Sequence, residues 1–277
     1  MTDWLINGKP STLVSIEDRG LRYADGLFET IAVRDGRARF LSYHLERLAE
    51  GCRRLSLPGS AGSLVQREIE QLVCRHTSAT GKIIITRGAG PRGYTPPEHP
   101  EITRIIGVEN APEPARNRHR DGIAVRTCRT PVGVNPATAG LKTLGRLDQV
   151  LARSEWHDPA VPEGLMASPD GRIISGTMTN LFIVAGGRLR TPALTDCGIR
   201  GVMRRVVLEE AAQSNIECAE VSIYAEDLAR ASEMFLTNSL IGIWPIVKLE
   251  NQSFAVGPLT RRLMARLAAR GVRECRI

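Results

Sequence analysis

Four lysines occur in a chain that takes nearly all of its positive charge from arginine. Of its 37 Lys and Arg residues, only Lys9, Lys82, Lys142 and Lys248 are lysines. Arginine stays charged, whereas a desolvated lysine can lose its proton and attack a carbonyl carbon to form a Schiff base. Most lysines are solvated surface charges, and three of the four fit that description. Lys9 lies in a predicted turn, Lys82 begins a predicted strand and Lys248 precedes the polar segment "LEN".

Lys142 has the context that suits amine chemistry. It lies in "AGLKTLGRLDQVLARSEW", residues 139–156, just after Gly140. A helix N-terminus carries partial positive charge, which lowers the pKa of a nearby amine. We expect Lys142 at such an end, because apolar residues follow it at helical spacing and predict one buried helix face. These residues are Leu144, Leu147, Val150 and Leu151.

Strands and helices must position the reactive side chains. The dipeptides "NG" at 7–8 and "DG" at 35–36 are hairpin turn signals. A helix follows, with Ser42 as its predicted N-cap and apolar residues at helical spacing up to Leu55. Later strands are predicted at 82–87 and 102–109, and later helices at 63–76, 201–213 and 258–270.

A change of composition divides the chain. The stretch "NAPEPARNRHRDG" at 110–122 is polar and contains two prolines, as is typical of a linker. We therefore predict an α+β protein with a small N-terminal domain at 1–112, a linker at 113–121 and a large C-terminal domain at 122–277.

Composition excludes some classes of protein. No run of 18 apolar residues exists, so no membrane span is expected, and the start lacks the pattern of a secretory signal. The net charge of +7 is compatible with nucleic-acid binding, but two features argue against it: the arginines are dispersed, and aromatic residues make up only 4%. An anionic small molecule explains the charge equally well. Six scattered cysteines without a C-x-x-C pair indicate a reducing cytoplasm and give no local support for a metal site.

The glycine-rich segment "GAGPRG" at 88–93 matches the G-x-G-x-x-G pattern and follows a predicted strand. A dinucleotide fold then requires a helix whose N-terminus holds the pyrophosphate. The chain continues with "YTPPEHP", which cannot begin a helix because of its prolines. The segment is therefore predicted to be a loop and not a dinucleotide site.

Seven segments, in order along the chain, resemble one family. They are "INGKP", "VSIEDRGLRYADGLFETIAVRDG", "YHLERL", "TRGAGPRGY", "SGTMTNLF", "GIRGVMRR" and "EMFLTNSL". Together with "AGLKTLGRLDQVL" they resemble the fold-type IV pyridoxal-phosphate enzymes, which are class IV aminotransferase-like, and most closely the 4-amino-4-deoxychorismate lyase family.

The resemblance implies a fold, a cofactor and a reaction. The fold has a small N-terminal α/β domain and a larger C-terminal domain on a β-barrel-like core, with pyridoxal 5′-phosphate between them. Lys142 is implied to form the Schiff base with the cofactor. The implied reaction, a step of folate biosynthesis, eliminates pyruvate to give 4-aminobenzoate in a cytoplasmic homodimer.

The resemblance also implies cofactor-binding residues. Arg47 in "YHLERL" matches a phosphate-binding arginine, and a guanidinium fork suits phosphate oxygens. "GIRGVM" precedes a helix, so the amides of Val202 and Met203 can bind the phosphate. Without the resemblance, Arg47 would be taken as an exposed helix charge. One or more of Thr237, Asn238 and Ser239 is implied to complete the phosphate site.

Four residues are implied to contact or convert the substrate. Phe28 stands where the D-amino-acid aminotransferases have a tyrosine, and Thr30 matches a threonine that assists the lyase lysine. Arg92 and Tyr94 in "PRGY" match a loop that binds a substrate carboxylate. Considered locally, the same residues read as a loop arginine, packing aromatics and a β-branched strand residue.

Ser175, the first residue of "SGTMTNLF", departs from the family pattern. In the family this position is usually glutamate, which pairs with the protonated pyridine nitrogen of the cofactor. A serine hydroxyl cannot enforce protonation of that nitrogen, so Ser175 disfavours transamination and is compatible with elimination. The alternatives are a D-amino-acid or branched-chain aminotransferase of the same fold and a binding protein without activity.

Overall fold

The computed structural model describes residues 3–58, 61–113 and 116–276. The chain divides into two compact units. The first contains Met1–Glu113 and Leu141–Gly145, and the second contains Pro114–Gly140 and Arg146–Ile277. Both combine helices and strands, as the predicted α+β class requires. Across the described ranges, no helix is both long and apolar enough to cross a membrane.

The first unit is built on a six-stranded sheet with the order β2-β1-β6-β5-β3-β4. All of its neighbouring strands run antiparallel. Its strands are β1 (Asp3–Ile6), β2 (Lys9–Pro10), β3 (Gly26–Arg34), β4 (Arg37–Ala38), β5 (Ser78–Thr86) and β6 (Thr103–Asn110), and its helices are α1 (Arg19–Tyr23), α2 (Leu41–Arg54) and α3 (Ala61–Val73).

Two tight turns set the strand pairing at the ends of this sheet. Asn7 and Gly8 have φ angles of 50° and 81°, and Asp35 and Gly36 have φ angles of 50° and 71°. Two consecutive left-handed residues give the turn that matches the twist of a hairpin, and Asn-Gly and Asp-Gly adopt it most easily. Both predicted hairpins are confirmed.

The two faces of strand β3 have different surroundings. Leu27, Ile31 and Val33 are buried in a core that α2 and α3 also supply. Side chains alternate along a strand, so Phe28 and Thr30 lie on the opposite face. Helix α2 begins directly after Phe40, which has a φ of 53° and makes no side-chain cap; the predicted N-cap at Ser42 is therefore wrong.

The second unit contains a nine-stranded sheet with the order β12-β11-β10-β13-β14-β7-β8-β9, and β15 pairs with β14. Strand β9 also lies against β10 and β11, so the sheet curls like part of a barrel. Its strands are β7 (Ile123–Thr127), β8 (Glu163–Ala167), β9 (Ile173–Gly176), β10 (Asn180–Ala185), β11 (Arg188–Pro192), β12 (Cys218–Val221), β13 (Glu233–Asn238), β14 (Gly242–Leu249) and β15 (Gln252–Ser253).

The helices of the second unit include one in the stretch predicted as a linker. They are α4 (Arg116–Asp121), α5 (Leu147–Arg153), α6 (Val202–Gln213), α7 (Ala225–Ala229) and α8 (Pro258–Ala269). Helix α4 occupies most of 113–121. Inside the sheet, Phe182 on β10 faces Phe235 on β13, and their stacked rings lie 5.0 Å apart. Such a cross-strand aromatic pair stabilises the pairing of two central strands.

Helix α5 differs from its prediction. It starts only at Leu147, five residues after Lys142. The side chains expected on a buried face are exposed, by 74% for Leu147, 60% for Val150 and 56% for Leu151. The predicted helix is present, but its apolar face lies on the surface of this chain.

Candidate active site

Lys142 lies on an extended segment that runs beside strand β3. The Phe28 amide donates to the Lys142 carbonyl at 2.9 Å, and the Leu144 amide donates to the Gly26 carbonyl at 3.0 Å. Thr143 pairs with Leu27 as an isolated antiparallel bridge. The predicted position at a helix N-terminus is therefore wrong, since α5 starts only at Leu147. Backbone pairing with β3, the strand next to the two-residue edge strand β4, positions the lysine instead.

The ring of Phe28 brings two lysines together. Lys142 Nζ lies 4.1 Å from the ring centroid, and Lys82 Nζ lies 4.7 Å from it. Both contacts are within the range of cation–π attraction. Lys82 stands directly across from Thr30 in the β3–β5 pairing, and its ammonium donates to Thr30 Oγ1 at 3.4 Å. Three predicted site residues, Phe28, Thr30 and Lys142, thus form one cluster with a second amine.

Lys82 is a site residue that the sequence did not predict. Burial lowers the pKa of its ammonium, which the charges of Glu109 and Glu29 oppose. A partly desolvated ammonium on the Phe28 face can bind an anion strongly, because fewer water molecules compete for it. The strand register could have identified it: once β3 and β5 are paired in this register, Lys82 lies on the same face of the sheet as Thr30.

Arg47 on α2 is held by a buried carboxylate. Its Nε donates to Glu29 Oε1 at 2.8 Å and its Nη2 donates to Glu29 Oε2 at 2.5 Å. The same carboxylate accepts from His44 Nδ1 at 2.6 Å. Glu29 and His44 are each only 1% exposed, and Arg47 is 13% exposed. Arg47 is therefore a fixed guanidinium and not the freely moving surface charge of the local alternative.

The charges of this group follow from its burial. Burial alone would raise the pKa of Glu29, but the charge of Arg47 and the contacts of both partners hold it down at about 2. Burial lowers the pKa of His44, an effect that the hydrogen bond to Glu29 opposes and that the charges of Arg47 and Lys142 reinforce. Near neutral pH the group is a carboxylate, a guanidinium and a neutral imidazole. Lys142 and Arg47 thus lie within electrostatic reach of the same histidine.

Arg92 and Tyr94 lie on an irregular loop between β5 and β6. The segment "GAGPRG" and the residues that follow it up to β6 form neither a helix nor a strand, so the predicted loop is confirmed. Gly88 must be glycine, because a Cβ there would lie 1.8 Å from the Glu101 carbonyl oxygen. Arg92 is exposed, and Tyr94 is 86% exposed with its ring edge-on to that of Tyr23, the two centroids 5.5 Å apart. Neither side chain joins the Phe28 cluster.

In the second unit, the N-terminus of α6 offers backbone donors. Gly201 is its N-cap and supplies no side-chain cap. Val202 and Met203 are buried, and none of the described residues accepts a hydrogen bond from their amides. Uncapped amides at the start of a twelve-residue helix suit an anion, because the helix dipole adds to their own polarity. This geometry fits the phosphate group expected there.

The loop before α6 is held by Asn180, the last residue of "SGTMTN". Its Nδ2 donates to the Ile199 carbonyl at 2.8 Å, and its Oδ1 accepts from the Gly201 amide at 3.1 Å. Gly201 leaves room for this contact, since a Cβ there would lie 2.1 Å from Asn180 Oδ1. Gly140 also pairs with this loop through hydrogen bonds to Gly198 and Arg200.

Ser175 lies on β9, is 8% exposed and pairs with Met166 on β8. Its hydroxyl makes no hydrogen bond to any described residue. Glu163, a buried acid on the neighbouring strand β8, is fully engaged by other groups. Its two oxygens accept from the Gly164, Thr177 and Met178 amides and from the hydroxyls of Thr177 and Thr179, at 2.5 to 3.1 Å.

The turn after β13 is stabilised by two of its three candidate side chains. Thr237 Oγ1 donates to the Gly242 carbonyl at 2.6 Å. Asn238 Oδ1 accepts from the amides of Leu240 and Ile241. Thr237 and Asn238 therefore shape this turn, and their predicted donation to phosphate, like that of Ser239, stays a prediction.

Comparison with known proteins gives the family. The model of the amino-transferase class IV family matches residues 26–249. The chain belongs to this family. Its members are the fold-type IV pyridoxal-phosphate enzymes indicated by the sequence motifs, and this chain is accordingly a pyridoxal-phosphate enzyme.

Individual members of the family match along nearly the whole chain. Aminodeoxychorismate lyase from Vibrio harveyi is 33% identical over 270 residues, covering 95% of this chain and 98% of that protein. D-alanine aminotransferase from Listeria monocytogenes serotype 1/2a (strain 10403S) is 26% identical, with coverages of 95% and 92%. The crystal structure of 4-amino-4-deoxychorismate lyase from Pseudomonas aeruginosa superposes with a TM-score of 0.93 at 41% identity, covering 96% and 98%. The predicted fold class is confirmed.

Proposed function

We propose that this enzyme is a 4-amino-4-deoxychorismate lyase, which converts its substrate to 4-aminobenzoate and pyruvate. The observation that carries this choice within the family is the higher identity to two lyases, 33% and 41%, than to two aminotransferases at similar coverage. A putative branched-chain-amino-acid aminotransferase is 31% identical and a D-alanine aminotransferase is 26% identical. Ser175 supports the same choice, because transamination relies on a carboxylate at that position.

The described residues suit pyridoxal phosphate. Lys142 would hold it through its amine, and the amides of Val202 and Met203 together with Arg47 would bind its phosphate. Asn238 and Ser239 complete the proposed phosphate-binding set, and Ser175 takes the position next to the ring nitrogen. When bound, the cofactor supplies the electron sink for breaking a bond at the amine-bearing carbon of the substrate.

Lys142 and Thr30 are the proposed proton carriers. A neutral Lys142 amine accepts the proton from the amine-bearing carbon, and the bond between the neighbouring carbon and the enolpyruvyl oxygen breaks. A proton returned by Lys142 or Thr30 converts the departing enolpyruvyl group to pyruvate. The ring that remains is aromatic, which makes the elimination favourable. The placement of Lys142 and Lys82 around Phe28, with Thr30 beside Lys82, supports these roles.

The substrate carries two carboxylates, and the first unit offers cations for them. Lys82 is partly desolvated and lies beside Thr30, so it suits a carboxylate near the reacting carbon. Arg92 and Tyr94 are proposed to bind the other carboxylate from their exposed loop. Phe28 is proposed to pack its apolar ring against the substrate. It lacks the hydroxyl that a tyrosine would add at that position.

The deciding experiment incubates the purified, cofactor-loaded protein with 4-amino-4-deoxychorismate and measures 4-aminobenzoate and pyruvate. We expect both products in equal amounts. Lys142→Ala should abolish them together with the yellow absorbance of the Schiff base, and Lys248→Ala, at an exposed lysine, should change neither. Turnover of an amino acid with a keto acid, without 4-aminobenzoate, would instead establish the aminotransferase alternative. Absence of the absorbance from wild type would indicate a binding protein.

We also propose that the enzyme is a homodimer in the cytoplasm. The exposed apolar residues of α5, Leu147, Val150 and Leu151, support a subunit contact, because such a patch is costly in water. All six cysteines are free thiols, which a reducing compartment maintains. Sedimentation equilibrium of wild type and of Val150→Asp tests the dimer; a monomeric wild type would refute it.

A further inference from the structure

The loop that carries Arg92 and Tyr94 is shaped by a single buried guanidinium. Arg19 of helix α1 is 3% exposed. Its Nη1 donates to the carbonyls of Gly93 at 3.0 Å and Thr95 at 3.4 Å, and its Nη2 donates to the Tyr94 carbonyl at 3.0 Å. Three successive carbonyls of one loop thus turn toward one side chain.

Arg19 is also held by contacts outside the loop. Its Nε donates to Asp25 Oδ2 at 2.9 Å, and the same oxygen accepts from Arg87 Nε at 2.8 Å. Burial would raise the pKa of Asp25, but Arg87 and Arg19 lower it, so the carboxylate is charged. Gly90 makes room for the arm of Arg19, since a Cβ there would lie 2.9 Å from Arg19 Cδ.

Tyr23, four residues further along α1, accepts a hydrogen bond from the same loop to which Arg19 donates. Its hydroxyl accepts from the Gly93 amide at 3.1 Å, so Gly93 is held at both its amide and its carbonyl. The Arg19 guanidinium lies 4.9 Å from the Tyr23 ring centroid, which orders the two side chains together. The four hydrogen bonds that Arg19 and Tyr23 make to this loop all involve its backbone, so the side chains of Arg92 and Tyr94 stay exposed.

We propose that Arg19, assisted by Tyr23, is the positioning residue for substrate binding: it holds residues 93–95 so that Arg92 and Tyr94 are presented to a carboxylate. This inference rests on the proposed function, in which those two residues bind the substrate. The loop has no helix or strand of its own and several glycines and prolines, so without Arg19 its backbone would sample many conformations. A preorganised loop avoids that ordering cost when the substrate binds.

The test uses Arg19→Lys, Tyr23→Phe and a matched control. Lysine keeps the charge but lacks the planar fork that reaches three carbonyls. Tyr23→Phe keeps the ring and removes only the hydroxyl, so it tests the clamp even if Arg19→Lys folds poorly. Arg104→Lys is the control, because Arg104 pairs with Glu68 elsewhere in the same unit and is 15% exposed.

Two readouts separate the clamp from the chemistry. Native trypsin digestion of the cofactor-loaded enzyme, followed by mass spectrometry, measures cleavage between Arg92 and Gly93. We expect cleavage to be about tenfold faster in Arg19→Lys, roughly threefold faster in Tyr23→Phe and unchanged in Arg104→Lys, because cleavage follows the opened population of the loop. Steady-state kinetics should show KM for aminodeoxychorismate raised about tenfold in Arg19→Lys, with kcat within about twofold.

The outcomes are distinguishable. Cleavage at the wild-type rate in both Arg19→Lys and Tyr23→Phe would overturn the clamp, whatever the enzyme's substrate. Faster cleavage with an unchanged KM would show an ordered loop that does not serve substrate binding, and would overturn the positioning role. A wild type without lyase activity would refute the proposed function, while the digestion would still decide whether Arg19 holds the loop.

Discussion

Replacing Glu29 with glutamine should lower the free energy of unfolding by about 3 kcal/mol at pH 7. The pKa of Glu29 stands at about 2 in the folded chain, against an ordinary value of 4.5. A pKa difference of one corresponds to about 1.4 kcal/mol, so the folded protein favours the carboxylate over the acid by about 3 kcal/mol. Glutamine removes that charge and leaves the Arg47 guanidinium without its buried counter-ion, which carries a cost of similar size.

Urea unfolding at pH 7, followed by circular dichroism, measures this difference. Glu68→Gln is the matched control, because the Glu68 side chain is 12% exposed, against 1% for Glu29, and its loss should cost less than the loss of the Glu29 charge. In wild type the contribution of Glu29 is complete above pH 4.5 and disappears as the pH falls toward about 2, since the unfolded chain takes up the proton first. Equal losses in the two variants at pH 7 would refute the electrostatic account of the Glu29 group.

Three further predictions concern other parts of the site. Burial lowers the pKa of His44, so below pH 6.5 the unfolded wild-type chain binds a proton that the folded chain does not, and the free energy of unfolding falls. In His44→Asn this fall should be smaller. Urea unfolding from pH 7 to pH 5 measures both slopes, and equal slopes would contradict the prediction. Lys82→Met should raise KM for the proposed dicarboxylate substrate about tenfold, because a cation beside Thr30 is lost. It should not lower the free energy of unfolding, since the folded state disfavours the ammonium. Steady-state kinetics and urea unfolding measure the two effects. Asn180→Ala should weaken pyridoxal-phosphate binding about tenfold, because two contacts that shape the loop before α6 are lost. Fluorescence titration of the cofactor-free protein measures the affinity, and an unchanged value would show that this loop does not support the proposed phosphate-binding amides.

The sequence predicted features that are determined locally. The Asn7–Gly8 and Asp35–Gly36 turns depend on two residues each, and helix α6 depends on apolar spacing and a preceding glycine. Family motifs supplied Lys142. Lys82 could not be found this way, because its place beside Thr30, 52 positions earlier in the chain, depends on the register of β3 and β5. Register is set by long-range packing that no short motif records.

Errors arose where a pattern had two physical meanings. Apolar residues at helical spacing after Lys142 indicate a helix with an apolar face, but they do not say what covers that face or where the first turn begins. The backbone of Leu141–Gly145 pairs with β3, so the helix starts later and Leu147 remains exposed. Arg19 escaped prediction for a different reason: its ligands are backbone carbonyls, which leave no trace in residue type.

The five residues Leu141–Gly145 belong to the first unit, although the chain on both sides of them belongs to the second. A fragment that ends at Glu113 therefore contains Phe28, Thr30 and Lys82 but lacks the lysine that its own sheet binds. On the ribosome, strand β3 must wait for more than a hundred further residues before this edge segment arrives. The cluster of Phe28, Lys82 and Lys142 is thus completed only when the chain has been made well past Glu113, and a half-made chain carries Phe28 and Lys82 without Lys142.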